Sequence, residues 1–134
     1  MARIYFNSRD EMTCVETDQI ALVKADGNYT QIIYINGMVV VLTFGINKLE
    51  AILKEKNDKR NRFVKLGRSH IVNHFYVHKI DLLKQLMTLS DGEKHNIRVA
   101  FPKKTLKAYK DAVSKMIKLT DITRRKKEVD TSDS

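Results

Sequence analysis

The chain has 134 residues, 43% of them hydrophobic, and 25 Lys and Arg against 16 Asp and Glu give it a net charge of +9. This length and hydrophobic content indicate one globular domain with a real core and exclude a disordered chain. The longest aliphatic run, Met38–Leu42, is far shorter than the ~20 residues of a membrane-spanning helix. The N-terminus carries charges where a signal peptide is apolar, and one cysteine, Cys14, fits a reducing compartment, so we expect a cytoplasmic protein without a membrane partner.

Short β-prone runs separated by turn residues predict a series of strands in the first half of the chain. Asn36-Gly37 between two such runs is the strongest short-range signal for a β-hairpin. Ala25–Asn28 is a predicted turn because of its Asp, Gly and Asn content. The predicted strands are Ala2–Phe6, Ile20–Lys24, Tyr29–Ile35 and Met38–Phe44, and the polar stretch that leads to Asp18 is uninformative.

A first helix is predicted after Gly45. Asn47, followed three residues later by Glu50, is typical of a helix N-cap with its reciprocal partner. Four apolar residues fall on one face of a helix that runs to about Lys56. They are Ile46, Leu49, Ile52 and Leu53. Residues 57–62 contain no apolar side chain and predict an exposed loop.

The second half predicts more short strands and then a basic helix. The strands are expected within Phe63–Leu66, Ile71–Asn73, Tyr76–Leu83, Gln85–Leu89 and Lys94–Phe101, with a turn at Ser90–Glu93. Pro102 is placed to open a helix, because the first helical N–H has no partner to lose. An apolar stripe is predicted to face a core, with lysines on the other faces. It consists of Leu106, Tyr109, Val113, Met116 and Ile117. From Thr120 the chain is expected to be a charged tail.

The excess positive charge lies in the second half of the chain. Residues 1–60 are neutral, residues 61–102 carry +4, residues 103–127 carry +8 and the last seven residues carry −3. Such polarised basicity is typical of a partner rich in phosphates, because each Lys or Arg that neutralises a phosphate releases a counterion. A lysine-rich solvated surface is the alternative that charge alone leaves open.

No catalytic motif stands out, and we expect no enzyme activity and no cofactor. Cys14, Ser69 and Ser90 are potential nucleophiles but lie in no recognisable catalytic setting. Three histidines, His70, His74 and His78, have the spacing of metal ligands on a helix. Their segment is β-prone, and on a continuous strand they would stand ~13 Å apart at each step, too far to share one zinc ion. We therefore expect no metal site, although a bend at Asn73-His74 would defeat this argument.

The segment Phe63-Val-Lys-Leu-Gly-Arg-Ser-His-Ile-Val-Asn73 resembles the signature Phe-x-Arg-x-His-Arg-Ser-x-x-Val-Asn of the LytTR family of bacterial DNA-binding domains. Three more matches follow the family order: Val23–Thr30, the helix through Leu49, and the turn, strand and basic helix from Asp91 to about Lys107. The resemblance implies an α+β domain over residues 18–119, mainly β with two helices, built from small stacked antiparallel sheets. Residues 1–17 are then an N-terminal extension, and residues 120–134 are a tail. Because only about 17 residues precede the match, we expect a stand-alone regulator or an excised fragment.

The resemblance also implies that loops read duplex DNA. Carried over by position, the contacts are Asn28 and Thr30, the Arg68-Ser69 pair, and Lys103 with Lys104. Arg68 can hydrogen-bond to guanine O6 and N7, a contact worth ~1–3 kcal/mol of discrimination, or it can form a structural ion pair. Lys65, Lys103 and Lys104 are expected to hold phosphates, which gives affinity without sequence information.

Two departures from the family pattern bear on specificity. Gly67 stands where the family prefers His, and Lys103-Lys104 stand where it prefers residues of the Ser-Arg-Arg type. Lysine lacks the planar fork of arginine, so we hypothesise either weaker sequence discrimination than in typical relatives or recognition of a different site.

The expected function is a transcriptional regulator, with DNA sites repeated one helical turn (~34 Å) apart and a homodimer on DNA as a further expectation. The rival functions are a protein-interaction module that uses the basic helix and an RNA binder whose Tyr29, Tyr34 and Tyr76 stack on bases.

Overall fold

The computed structural model describes residues 2–57 and 62–123, and over these the chain forms ten strands and two helices. This confirms the predicted class, mainly β with two helices. The strands are β1 (Arg3–Asn7), β2 (Met12–Glu16), β3 (Ile20–Asp26), β4 (Tyr29–Tyr34), β5 (Val39–Leu42), β6 (Phe63–Leu66), β7 (His70–Asn73), β8 (Val77–Asp81), β9 (Leu86–Ser90) and β10 (Asn96–Ala100). The helices are α1 (Ile46–Asn57) and α2 (Lys103–Ser114). No helix within these residues is long and apolar enough to cross a membrane.

The strands form three small antiparallel sheets. The central sheet has five strands in the order β5-β4-β3-β7-β6, β1 pairs with β2, and the third sheet has the order β10-β9-β8. The hairpin predicted at Asn36-Gly37 is confirmed, with Ile33 opposite Val39 and Gly37 at φ +93°. The side chain of Asn36 accepts a hydrogen bond from the N–H of Met38 at 2.9 Å, which stabilises the turn.

The central sheet has a hydrophobic core on each face. Neighbouring residues of one strand alternate between the two cores, as Leu22 and Val23 do on β3. The first core packs α1 and the β1–β2 hairpin against the sheet, and the second packs α2 and the three-stranded sheet against the other face. The structure is therefore layered, and the central sheet holds the other elements in place.

The N-terminal segment has more structure than its polar sequence indicates. The stretch before Asp18 contains β2, and Val15 on this strand is fully buried opposite Ile4. The sequence is uninformative over this stretch, because Val15 is buried through its pairing with Ile4, a contact that local sequence does not carry. Arg62, expected in an exposed loop, is only 5% exposed. Residues 58–61 of that loop and residues 124–134 of the predicted tail lie outside the described residues.

Both helices differ from their predicted limits at one end. Helix α1 begins at Ile46, so Asn47 lies inside its first turn and is not the N-cap. Ile46, Leu49 and Leu53 of the predicted apolar face are buried, as expected, and Ile52 is partly buried. Helix α2 follows Pro102 as predicted but ends at Ser114. The predicted stripe is therefore buried only through Val113, and Met116 and Ile117 are 41% and 48% exposed.

Candidate nucleic-acid interface

Three of the predicted contact regions meet at one end of the central sheet. The β3–β4 turn has Gly27 at φ +63°, the left-handed conformation that the first central position of a type II′ turn requires, and Asn28 is exposed beside it. The loop between β6 and β7 comprises residues 67–69. The N–H of Ala25 donates to the carbonyl oxygen of Ser69 at 2.8 Å. This bond fixes the turn beside the loop.

The start of α2 lies on the other side of the same loop. The ring of His70 stands edge-on to the ring of Phe101, with centroids 5.0 Å apart and an interplanar angle of 80°. Phe101 immediately precedes Pro102 and the helix. Leu66, Gly67 and Lys104 line one groove, which places the first turn of the helix against the loop. We call the β3–β4 turn, the loop 67–69 and residues 101–104 the loop end of the sheet.

The cations at the loop end are exposed and unpaired. Arg68, Lys103 and Lys104 are exposed, and none of them forms an ion pair with another described residue. The alternative of a structural ion pair for Arg68 therefore finds no partner in the described part of the chain. By contrast, Arg3, Lys54, Arg62 and Lys65 pair with carboxylates elsewhere. Unpaired cations at one end leave their charge available to an anionic partner.

The backbone of the loop 67–69 explains one departure from the family pattern. Gly67 has φ +60°, a conformation that costs a β-carbon-bearing residue energy and costs glycine none. Arg68 follows at the exposed tip. Ser69 is also exposed, and its Oγ lies 3.0 Å from Nδ1 of His70.

The His70 imidazole connects the loop to a cation that the sequence analysis did not include. Burial and, second, the charge of Lys24 lower the pKa of His70, so the ring is neutral near pH 7. Lys24 is the partner of His70 across β3 and β7, is exposed, and has no ion pair with the described residues. It lies on β3 opposite His70, the residue that follows the loop 67–69. The available signal was a charged residue at the end of the predicted strand Ile20–Lys24, whose other residues are apolar.

Thr30 lies away from the surface. Its side chain is fully buried, and its hydroxyl donates to the carbonyl oxygen of Phe44 at 2.6 Å. Thr30, Ile32 and Tyr34 alternate with more exposed residues along β4, so a period of two already places Thr30 inside. Thr30 is therefore not a surface contact residue, and it supports the β3–β4 turn from inside the protein.

Lys65 points toward α1. Its Nζ donates to Asn47 Oδ1 at 2.9 Å and lies 3.4 Å from Glu50 Oε1, and its side chain is 25% exposed. Asn47 and Glu50, the residues that resembled a cap, thus hold this lysine. The arrangement joins β6 to α1. The Lys65 charge, which was expected to contact a phosphate, is paired with Glu50 instead.

The three histidines follow a bent path. His70 lies on β7, His74 begins a 3-10 turn and His78 lies on β8. Asn73, at the bend, is 1% exposed and holds it by donating to the Ile20 carbonyl oxygen and accepting from the Phe75 N–H. Among the described residues no group of three or more His, Cys, Asp or Glu is placed to hold a metal ion.

The chain was compared with known families, curated proteins and solved structures. Residues 10–114 match the family model of the LytTr DNA-binding domain. No curated protein matches. A similar solved structure is described as the LytTr DNA-binding domain of a methyl-accepting/DNA response regulator from Bacillus cereus. It is 14% identical, covers 84% of this chain and 97% of its own, and has a TM-score of 0.56. The family is one of DNA-binding domains and not of enzymes.

Proposed function

Because the chain belongs to the LytTR family of DNA-binding domains, we propose that it is a transcriptional regulator that reads duplex DNA with the loop end of its central sheet. The observation that supports this most strongly is the meeting of the three regions through the Ala25–Ser69 hydrogen bond and the His70–Phe101 ring contact. These regions are far apart in sequence, and their exposed polar and cationic side chains share one end.

We assign base reading to the exposed tips of two neighbouring loops. Arg68 reaches guanine O6 and N7 through its fork of donors, and Asn28 hydrogen-bonds a base edge from the neighbouring turn. Neither side chain makes a hydrogen bond with another described residue. Their donors are therefore not satisfied within this part of the protein.

Phosphate contacts are assigned to the residues around these tips. Lys24, Lys103 and Lys104 surround the loop 67–69, and the hydroxyl of Ser69 adds a neutral donor. Such contacts set the register of the protein on the duplex without carrying sequence information. With lysines rather than arginines after β10, we expect the ratio of specific to non-specific affinity to rest largely on Arg68.

The mode of assembly on DNA is part of the proposal. Two copies bind sites repeated one helical turn apart (~34 Å), so that both face the same side of the duplex, and they contact each other as a homodimer on DNA. Because the proposed partner is bacterial duplex DNA, the protein is proposed to act in the cytoplasm of a bacterium.

The RNA-binding alternative depends on stacking tyrosines, and two of the three are engaged. Tyr34 is 6% exposed and its hydroxyl accepts from the Glu16 N–H. The Tyr76 hydroxyl donates to the Asp18 carbonyl oxygen at 2.6 Å. Only Tyr29, at 51% exposure, is free to stack, which favours duplex DNA over single-stranded RNA.

Fluorescence anisotropy with labelled nucleic acids tests the proposal. We expect duplex DNA to bind with an affinity that falls steeply with salt, and single-stranded RNA of the same length to compete poorly. Tight binding to an acidic protein or to single-stranded RNA, with weak binding to every duplex, would instead favour a rival function.

A further inference from the structure

A fourth loop lies next to the start of α2. It is the turn between β8 and β9, residues 82–85. The N–H of Phe101 donates to the carbonyl oxygen of Gln85 at 3.2 Å, and Ala100 is opposite Leu86 in the same ladder. Phe101 also contacts His70. The β8–β9 turn is therefore next to the loop end of the sheet. The β9–β10 turn, which contains Lys94, lies at the opposite end of the three-stranded sheet.

The backbone of this fourth turn is fixed by its own bonds. The N–H of Lys84 donates to Asp81 Oδ1 at 3.0 Å, and Gln85 has φ +54°. Among the described residues Gln85 is the one non-glycine with positive φ, a conformation uncommon for a residue with a side chain. It turns the Gln85 carbonyl toward Phe101. The turn thus has a defined position relative to Lys103.

Leu82 packs against the second core, whereas the side chains of Leu83 and Lys84 are exposed to solvent. Leu83 is 88% exposed, and Lys84 is exposed and forms no ion pair with the described residues. Lys84 therefore extends the unpaired charge of the loop end beyond Lys103, on the side away from Asn28. The order of loops along this end is the β3–β4 turn, residues 67–69, residues 101–104 and then residues 82–85.

From this placement we infer that the β8–β9 turn is a fourth DNA-contacting element in which Lys84 binds a phosphate beyond those held by Lys103 and Lys104. The inference rests on the proposed function and deepens it, since it lengthens the footprint of one copy on the duplex. A phosphate contact at this site adds affinity for every sequence alike.

The salt dependence of binding measures how many phosphates the protein neutralises. In a plot of log affinity against log salt concentration, each phosphate contact on duplex DNA adds ~0.9 to the steepness of the slope. The full chain is compared with Lys84→Ala and with the matched control Lys94→Ala. We expect Lys84→Ala to lower the slope by about 0.9, and Lys94→Ala to leave it unchanged. Circular dichroism verifies that both variants are folded.

A second measurement locates the turn on the DNA. Cys14→Ser removes the native thiol, and Leu83→Cys introduces a single thiol to which a DNA-cleaving iron chelate is attached. Lys94→Cys in the same Cys14→Ser background, labelled in the same way, is the control. We expect strand cuts at one edge of the binding site from position 83 and none from position 94.

The two hypotheses fail in different ways. If the unaltered chain binds no duplex DNA, the proposed function is wrong. If it binds DNA with a steep salt slope, but Lys84→Ala keeps that slope and the reagent at position 83 leaves the DNA intact, the proposed function stands and this inference is overturned.

Discussion

The rings of His70 and Phe101 meet edge to face at 5.0 Å and join two sheets that are otherwise separate in the hydrogen-bonded ladders. His70 follows the loop that holds Arg68, and Phe101 precedes the helix start that holds Lys103. Phe101 is 5% exposed, so this junction is part of the core. The spacing between Arg68, proposed to read bases, and Lys103, proposed to bind a phosphate, is therefore set by core packing and not by flexible chain.

Replacing Arg68 by alanine should reduce sequence discrimination more than affinity for random DNA. The side chain is exposed and forms no hydrogen bond or ion pair with another described residue, so stability should not change. Loss of a bidentate guanine contact is worth ~1–3 kcal/mol, or about 5- to 150-fold in the ratio of cognate to scrambled affinity. Binding curves with both duplexes at one salt concentration measure this ratio.

Lys107→Ala is the control for the arginine variant, because Lys107 is an exposed cation on α2. It should weaken binding to both duplexes by the same factor. Equal loss of discrimination in the two variants would count against direct reading by Arg68.

Lys65→Met should act on stability and not on DNA reading. The change removes the contacts of Nζ with Asn47 and Glu50, a partly exposed pair that contributes up to about 1 kcal/mol. Urea denaturation measures the loss, and Lys54→Met, whose pair with Glu50 is longer at 3.7 Å and more exposed, should lose less. A fall in DNA affinity without a fall in stability would show that Lys65 meets the duplex instead.

Asn73→Ala should be strongly destabilising. The side chain is 1% exposed, donates to the Ile20 carbonyl oxygen at 2.9 Å and accepts from the Phe75 N–H at 3.0 Å. Alanine leaves the Ile20 carbonyl without this donor and removes the bond to Phe75, so we expect a loss of about 2–4 kcal/mol in the free energy of unfolding. Asn96→Ala on the exposed side of β10 should cost less than about 0.5 kcal/mol, and similar losses in both variants would contradict this role.

The pair of Asp18 and Arg62 predicts a pH dependence of stability. The guanidinium of Arg62, 2.7 Å away, lowers the pKa of the Asp18 carboxyl. A carboxyl whose folded pKa lies below its unfolded value contributes stability above about pH 4, and this contribution disappears as the pH falls through the folded pKa.

Asp18→Asn should remove that part of the acid transition and lower stability at pH 7. The loss should be about 1–2 kcal/mol, less than for a fully buried pair, because Asp18 is 43% exposed while Arg62 is buried. Thermal unfolding followed from pH 3 to pH 7 tests this. An unchanged pH profile in the variant would mean that the pair contributes nothing.

Regular patterns in the sequence predicted the elements of the fold well. The Asn-Gly hairpin, the α1 apolar face and the start of α2 at Pro102 each follow from local chemistry. β2 did not follow, because Val15 gains its burial from its pairing opposite Ile4, a contact that local sequence does not carry. The end of α2 was missed because Met116 and Ile117 continue the apolar spacing beyond Ser114, although they are 41% and 48% exposed.

For the site, the sequence identified residue types but not their partners. Arg68, Lys103 and Lys104 are exposed at one end, where the family motif predicted DNA contacts. Lys65 carries the same charge but faces Asn47 and Glu50, which requires knowing that α1 lies over β6. Lys24 and Lys84 could be placed near the loop end only from the strand pairing and the backbone and ring contacts of the structure, which local sequence does not carry.

Selection of bound sequences from a pool of random duplexes tests the central claim most directly. The unaltered chain should enrich a defined motif, repeated with a centre-to-centre spacing of one helical turn (~34 Å), and Arg68→Ala should lose at least one guanine from that motif. A bound pool as random as the starting pool, or a motif that Arg68→Ala recovers unchanged, would contradict the account of a loop end that reads DNA sequence.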